Sequence, residues 1–338
     1  MEKNLVSKKN LQLLFSSAIL AVVIIFLYTS YSSKITINQL ETAIKCPEPH
    51  QEQSTTAKKE EIILQQIIKQ EPKKENIKID SNCEQIDYGS FVNLLTNKKD
   101  KTFLEIGPWA NPLQGVLNAK YFDRVDRETI VKAVKTENVL SPGNSDLVPQ
   151  KIDYVSATGD LGIVKDKFDH VFSRYNVEHQ FDLVEHLNKV YDILNDNGKY
   201  FAIIPDKRYM FDYFLSDTLL SDVLHAHYVK EKKYSLRVWL QSCERTHINP
   251  DLHWNGNHGQ DLFDIKTDFS CYESLIKDYL DNKLRTIIEV NSHPWRFYPR
   301  SFLFIVDSLN KMGLTKLKVE KIYCTRANEL HFYAVLKR

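Results

Sequence analysis

Glycine and proline are scarce in this chain of 338 residues, at 10 and 11. That excludes collagen-like and Gly- or Pro-rich low-complexity sequences. Five cysteines are too few for a small disulfide-stapled scaffold. Charge of one sign is lacking as well: 45 Lys and Arg against 44 Asp and Glu leave a net +1, so the basic surplus typical of a nucleic-acid binder is missing. No Gly-x-Gly-x-x-Gly run occurs, which argues against a nicotinamide oxidoreductase. No Asn-x-Ser/Thr glycosylation site occurs either. What remains is ordinary globular composition, 43% apolar and 26% charged, with a length suited to about two domains at roughly 100–200 residues each.

One long uncharged run stands out. Residues 11–33 begin LQLLFSSAILAVVIIFLY, enough to cross a hydrocarbon core of roughly 30 Å. Lys3, Lys8 and Lys9 precede it, and the positive-inside rule then leaves residues 1–10 in the cytoplasm and the rest outside or in a lumen. We read 11–33 as a signal-anchor of a single-pass type II membrane protein, the alternative being a cleaved signal peptide. Residues 34–82 are rich in Lys, Glu and Gln, with no glycine, and suit a stem that buries no core. Within it Ile62, Ile63, Leu64, Ile67 and Ile68 fit one face of a short helix, either a homodimer seam or a transient turn of a linker.

Residues 83–338 carry a strand and helix rhythm. Buried strands are expected at 101–106, 120–122, 152–155, 168–173 and 199–204, and helices at 129–134 and 181–194. Alternation of this kind predicts an α/β, Rossmann-like, doubly wound sheet. From Pro205 to Pro299 it breaks into a long insertion rich in aromatic residues and histidine. It resumes with a helix over 301–311 and two strand-like runs, 317–323 and 330–336, with no helix between them. The whole predicts a seven-stranded sheet ending in an antiparallel hairpin.

Ligands of such sheets sit at the carboxyl ends of the strands. Gly107 there lets backbone approach a ligand closely. Asp123, 16 residues on, is placed to take ribose hydroxyls, or is a plain surface residue after a strand. Lys207 and Arg208 with Asp206 suit an internal ion-pair network as well as chemistry. Glu178 and His179 suit a helix start as well as an acid–base role. His225-Ala-His227 would hold a metal only if strand-like. No Cys or carboxylate completes a ligand spacing, so no metal is expected.

The blocks EIGPWANPL (105–113), FSRYNVEH (172–179) and IPDKRYMFDYF (204–214), with HWNGNHG (253–259) and HPWRFYPRSF (293–302) downstream, resemble class I S-adenosylmethionine-dependent methyltransferases. The likeness is to the type 11-like subgroup with EIGP…NPL, FSxxNxEH and PDKRYxFD motifs, over about residues 85–338. The resemblance implies S-adenosylmethionine as cofactor. Glu105 and Gly107 would border its methionine part, Asp123 would bind the ribose, and Asp160 and Leu161, with Gly159, would flank the adenine. Ser173 to Asn176 would line the methyl-transfer face. The subgroup has Ser-His where this chain has Arg174-Tyr175. That leaves His179, then Asp206 and Tyr175, as bases for a hydroxyl acceptor.

An anchor, a charged stem and a carboxy-terminal domain is a layout common among Golgi enzymes, and an oxidising Golgi or endoplasmic reticulum lumen would let cysteines pair. Cys243 with Cys271, both in the insertion, is the expected pair. Cys324 is expected simply to be buried in a strand, and Cys46 to be left for a bridge between copies. The expectation is O-methylation of a glycan or sugar, the partner being a glycan or small-molecule acceptor. The alternative is a non-catalytic protein of this fold that binds a ligand or protein partner.

Overall fold

The computed structural model describes residues 83–96, 100–113, 119–135, 144–261, 269–281 and 292–338. The expected anchor, stem and Cys46 lie outside the described residues. Among the described residues no helix is long and apolar enough to cross a membrane. Residues 79–338 form one compact unit.

Seven strands make one sheet: β1 (Phe103–Ile106), β2 (Ala119–Asp123), β3 (Tyr154–Val155), β4 (Phe168–Arg174), β5 (Leu194–Pro205), β6 (Lys318–Tyr323) and β7 (His331–Lys337). Their order is β3-β2-β1-β4-β5-β7-β6. The first five pair in parallel, and β7 lies antiparallel to both β5 and β6. This is the seven-stranded Rossmann-like sheet with a terminal hairpin that the sequence rhythm predicts. β5 starts earlier than expected, because Leu194 pairs with Phe168 ahead of the turn at Asn197, where φ is +63°.

β1 is a central strand, and all four of its residues are buried. Alternate side chains feed two cores. On one face Leu104, Ile106, Val171 and Ala202 pack with α3 (Leu183–Ile193) and α8 (Pro299–Lys311). On the other, Phe103, Phe172, Phe201 and Tyr333 pack with Phe91 and Leu95 of α1 (Tyr88–Thr96), a helix the sequence rhythm did not single out. α2 (Arg127–Lys135) follows β2. Helix α3 buries Leu183, Val184, Leu187 and Val190 on one face, and its start is capped by Asp182, which accepts from the Glu185 amide.

The insertion after β5 contributes α4 (Leu220–Tyr228), α5 (Leu236–Leu240), α6 (Pro250–Trp254) and α7 (Ser270–Leu280). The expected Cys243–Cys271 disulfide ties α7 back to the segment after α5, around a small core of Tyr234, Trp239 and Leu275. Cys324 corrects its expectation: it is bonded to Cys83, 241 residues earlier. The reason is local. The Cys324 amide donates to the Glu84 carbonyl at 2.9 Å, so the segment entering α1 runs beside the end of β6 and brings Cys83 within reach.

Candidate active site

The crevice lies where the parallel strands end. The Gly107 amide extends the β1–β2 ladder by donating to the Phe122 carbonyl at 2.8 Å. Gly107 then turns with φ of +70°, and a Cβ there would meet Asn176 Nδ2 at 3.2 Å. Both conditions select glycine. Asp123, at the end of β2, is 8% exposed. Its Oδ1 accepts from the amides of Arg124 (2.6 Å) and Val125 (3.4 Å), while Oδ2 is buried without a hydrogen-bond partner among the described residues. Burial pushes the Asp123 pKa up, against the pull of the Arg124, Val125 and Trp109 amides. A buried carboxylate oxygen left open is costly unless a ligand donates to it.

After β3 the backbone turns at Ser156, whose hydroxyl accepts from the Asp160 amide at 3.0 Å. Asp160 in turn caps the single 3-10 turn Leu161–Ile163 by accepting from the Gly162 amide at 2.8 Å. Leu161 points inward, 2% exposed. Gly159, Asp160 and Leu161 share a cleft of about 290 Å³ with Gln180 and Phe181, so the residues expected around an adenine do border a cavity.

Glu105 is 4% exposed and accepts from the Leu113 amide at 2.9 Å. Burial pushes its pKa up to about 7, opposed by that amide and by Arg174. The Arg174 guanidinium reaches α1, where it lies over the Tyr88 ring at 4.9 Å. Ser173 is 1% exposed and shares a 2.6 Å hydrogen bond with the Tyr200 hydroxyl. Its side chain therefore supports the floor.

The three expected bases fare differently. Asp206 is fully buried. Its Oδ1 accepts from Arg208 Nε at 2.9 Å, and its Oδ2 from an Arg208 terminal nitrogen and from the Thr325 hydroxyl, both at 2.6 Å. The Thr325 contact anchors the loop after β5 to the strand hairpin, and the Arg208 pair is local to that loop, so both carboxylate oxygens are engaged as the ion-pair alternative has them. Tyr175 sits at φ of +49°, with its hydroxyl 2.8 Å from His331 Nδ1. Desolvation raises its pKa, with Glu178 adding to the effect. The residue itself is 39% exposed, and the geometry shows its hydroxyl engaged with His331.

His179 lies in a different setting. It follows Glu178 on the 3-10 turn Val177–His179 directly after β4. Burial holds its pKa well below the usual histidine range, and the neighbouring His293 pushes the same way, so the ring is neutral near pH 7. Glu178, 1% exposed, is pushed up to about 7 by burial; His293 opposes this and Asp212 adds to it. His179 Nε2 is 3.7 Å from Glu178 Oε1, and the His179 and His293 rings are 4.8 Å apart. His293 Nδ1 is 3.1 Å from Asp212 Oδ2.

Sequence reasoning singled out Glu178 with His179 but missed His293 beside them and Asp212 behind His293. The available signal was that FDYF and HPW both belong to the downstream blocks, although 81 residues separate Asp212 from His293. The blocks do converge. Trp254 of HWNGNHG stacks on Tyr209 at 4.1 Å, and His258 on Tyr213 at 3.6 Å. Trp295 Nε1 donates to the Gln180 carbonyl at 2.6 Å. His225 and His227 lie on the helix α4, and His227 is taken up by Asp182 at 2.9 Å.

The strand order β3-β2-β1-β4-β5-β7-β6 puts these residues around one crevice of a seven-stranded, Rossmann-like sheet. No family model matches the chain, and no curated protein matches it. Among solved structures it is similar to the mitomycin 7-O-methyltransferase, at 10% identity over 73% of this chain, with a TM-score of 0.33; the match spans 53% of that chain, about half its length. It is similar to an S-adenosylmethionine-dependent methyltransferase from Mesorhizobium loti, at 10% identity over 70% of this chain and 91% of that one, with a TM-score of 0.33. It is also similar to the magnesium protoporphyrin IX methyltransferase from Synechocystis, at 11% identity over 74% and 81% of the two chains, with a TM-score of 0.34.

Proposed function

We propose that this protein is an S-adenosylmethionine-dependent methyltransferase that modifies a hydroxyl of a glycan or sugar-like acceptor in the secretory pathway. The observation that carries the cofactor assignment is the unpartnered, buried Oδ2 of Asp123 beside the left-handed turn at Gly107. A ribose diol donates two hydrogen bonds to a carboxylate in that position. Glu105 and Gly107 would hold the amino-acid end of the cofactor, and Asp160 and Leu161 the adenine end.

When bound, the cofactor supplies an electrophilic methyl group on a sulfonium that leaves as a neutral thioether. The residues of this chain then have to align an acceptor oxygen, exclude water and receive the acceptor's proton. Glu178, His179 and His293 stand at the acceptor end, three residues or fewer beyond Asn176 in the case of the first two. The carboxylate oxygens of Glu178 and Nδ1 of His179, unpartnered among the described residues, are the open polar atoms there. Two disulfides support an oxidising compartment, and the apolar run 11–33 supports a membrane anchor in the Golgi or endoplasmic reticulum. Homodimerisation through the stem belongs to the same proposal. A second reading, ligand binding without turnover, draws on the engagement of both Asp206 and Tyr175 in internal contacts.

Calorimetric titration of the purified chain with S-adenosylmethionine and S-adenosylhomocysteine tests the proposal. Micromolar binding that disappears in Gly107→Arg and Asp123→Ala supports it, and acceptor sugars are then screened for methyl uptake. A folded chain that binds neither compound refutes it. Binding without turnover on any acceptor leaves the second reading.

A further inference from the structure

One group of buried side chains is left with unmet polar atoms. Glu178 is 1% exposed, and among the described residues neither of its carboxylate oxygens has a hydrogen-bond partner. His179 Nδ1 and Asp212 Oδ1 are buried and unpartnered beside it. Each such atom costs about 1–3 kcal/mol when nothing satisfies it, and three of them belong to the adjacent Glu178 and His179. Glu178, His179 and His293 each offer one ligand atom, and these atoms lie within 4.8 Å of one another. A single proton on Glu178 would satisfy one oxygen and leave His179 as it is. A cation satisfies carboxylate and imidazole together.

We propose that Glu178, His179 and His293 bind a divalent transition-metal ion of the zinc class, at the end of the crevice where the acceptor hydroxyl enters. Two imidazoles and one carboxylate are a donor set for zinc that leaves a fourth position open. Asp212 supplies the outer partner: its contact with His293 Nδ1 at 3.1 Å leaves Nε2 to face the ion and fixes the ring, as a carboxylate behind a ligating histidine does.

Tetrahedral coordination at roughly 2.0–2.1 Å requires ligand atoms about 3.4 Å apart, so the side chains close by somewhat more than an ångström at most. Their backbones are already tied together. The Trp295 amide donates to the Glu178 carbonyl at 3.2 Å, and Trp295 Nε1 to the Gln180 carbonyl at 2.6 Å. Three other histidines of the insertion are committed to one another: His253 Nδ1 meets His258 Nδ1 at 3.0 Å, and its Nε2 meets the His247 carbonyl at 3.1 Å. In the open position the ion orients and acidifies a hydroxyl. That last role rests on the methyl-transfer proposal above; ion binding does not.

The full chain, stripped with a chelator, is titrated with Zn²⁺ against a chromophoric competitor, and separately with Co²⁺ in the visible range. One tight equivalent is expected, with the intense Co²⁺ bands of a four- or five-coordinate site. Glu178→Gln and His293→Gln should abolish both signals. Asp212→Asn should weaken binding roughly 10–100-fold, and His258→Asn should change neither signal. Circular dichroism and S-adenosylhomocysteine titration of the same samples report whether each variant is folded. A wild-type chain without a stoichiometric ion or Co²⁺ bands overturns the inference, as do bands that survive Glu178→Gln and His293→Gln. Cofactor binding without ion binding leaves the methyltransferase proposal standing and removes the metal. Ion binding without cofactor binding does the reverse.

Discussion

Replacing Glu105 by glutamine should make the protein more stable at alkaline pH and leave it nearly unchanged in acid. The carboxyl is 4% exposed, and burial raises its pKa from 4.5 to about 7. A raised carboxyl pKa means that the folded state prefers the protonated form. Its contribution is fully present below pH 4.5, is lost as pH rises, and reaches its minimum above about 7. At about 1.4 kcal/mol per pH unit, the loss across that window is about 3 kcal/mol. Glutamine cannot ionise, and its amide oxygen can still accept from the Leu113 amide. Urea unfolding of wild type and Glu105→Gln between pH 4.5 and 8 gives the difference directly, and other titrating groups cancel in it. The variant should gain steadily on the wild type and level off near 3 kcal/mol. A difference that stays flat across the range would show that Glu105 is not desolvated as described. A cationic ligand beside this carboxyl would favour its ionised form, so S-adenosylhomocysteine, with its ammonium group, should release a proton on binding near pH 6.5. Calorimetry in buffers of different ionisation enthalpy detects that release.

Three further outcomes follow from the site and its frame. Asp206→Asn should destabilise the protein by about 3 kcal/mol in urea unfolding, because a buried partner of Arg208 is neutralised; unchanged stability with lost turnover would restore Asp206 as a base. Serine at both Cys83 and Cys324 should lower stability by about 5 kcal/mol on loop-closure grounds, against about 3.5 kcal/mol for the Cys243 and Cys271 pair, whose loop is shorter. An inverted order of unfolding midpoints would refute that ranking. Gly107→Ala should cost about 1 kcal/mol for the left-handed turn and weaken cofactor binding through its contact with Asn176, so full affinity in a calorimetric titration would argue against the assigned cradle.

Much of the architecture was legible in the sequence, because buried parallel strands read as short apolar runs ending at Gly107, Asp123 and Pro205. Helix α3 announces itself by Leu183, Val184, Leu187 and Val190 at helical spacing. α1 escaped notice because only Phe91 and Leu95 of its nine residues are buried. Of the site, positions at strand ends were readable, since topology alone puts them at one crevice. Partnerships were not. Nothing in local spacing joins Asp206 to Thr325, Tyr175 to His331, or Asp212 to His293, because each pair is assembled by the insertion or the hairpin folding back over the sheet. Cys324 was misjudged for the same reason: its partner lies on a segment of no marked periodicity.

The bond between Cys83 and Cys324 has a mechanical consequence. It closes nearly the whole domain into a covalent ring, so one backbone cut anywhere between those two cysteines leaves the pieces joined until the disulfide is reduced. A load arriving along the chain from its amino-terminal side divides at Cys83, and one share passes straight into the end of β6. From there the load runs through the β6–β7–β5 ladder and not through α1 alone, so a pull on the leading segment is shared by the sheet before it can peel that helix away.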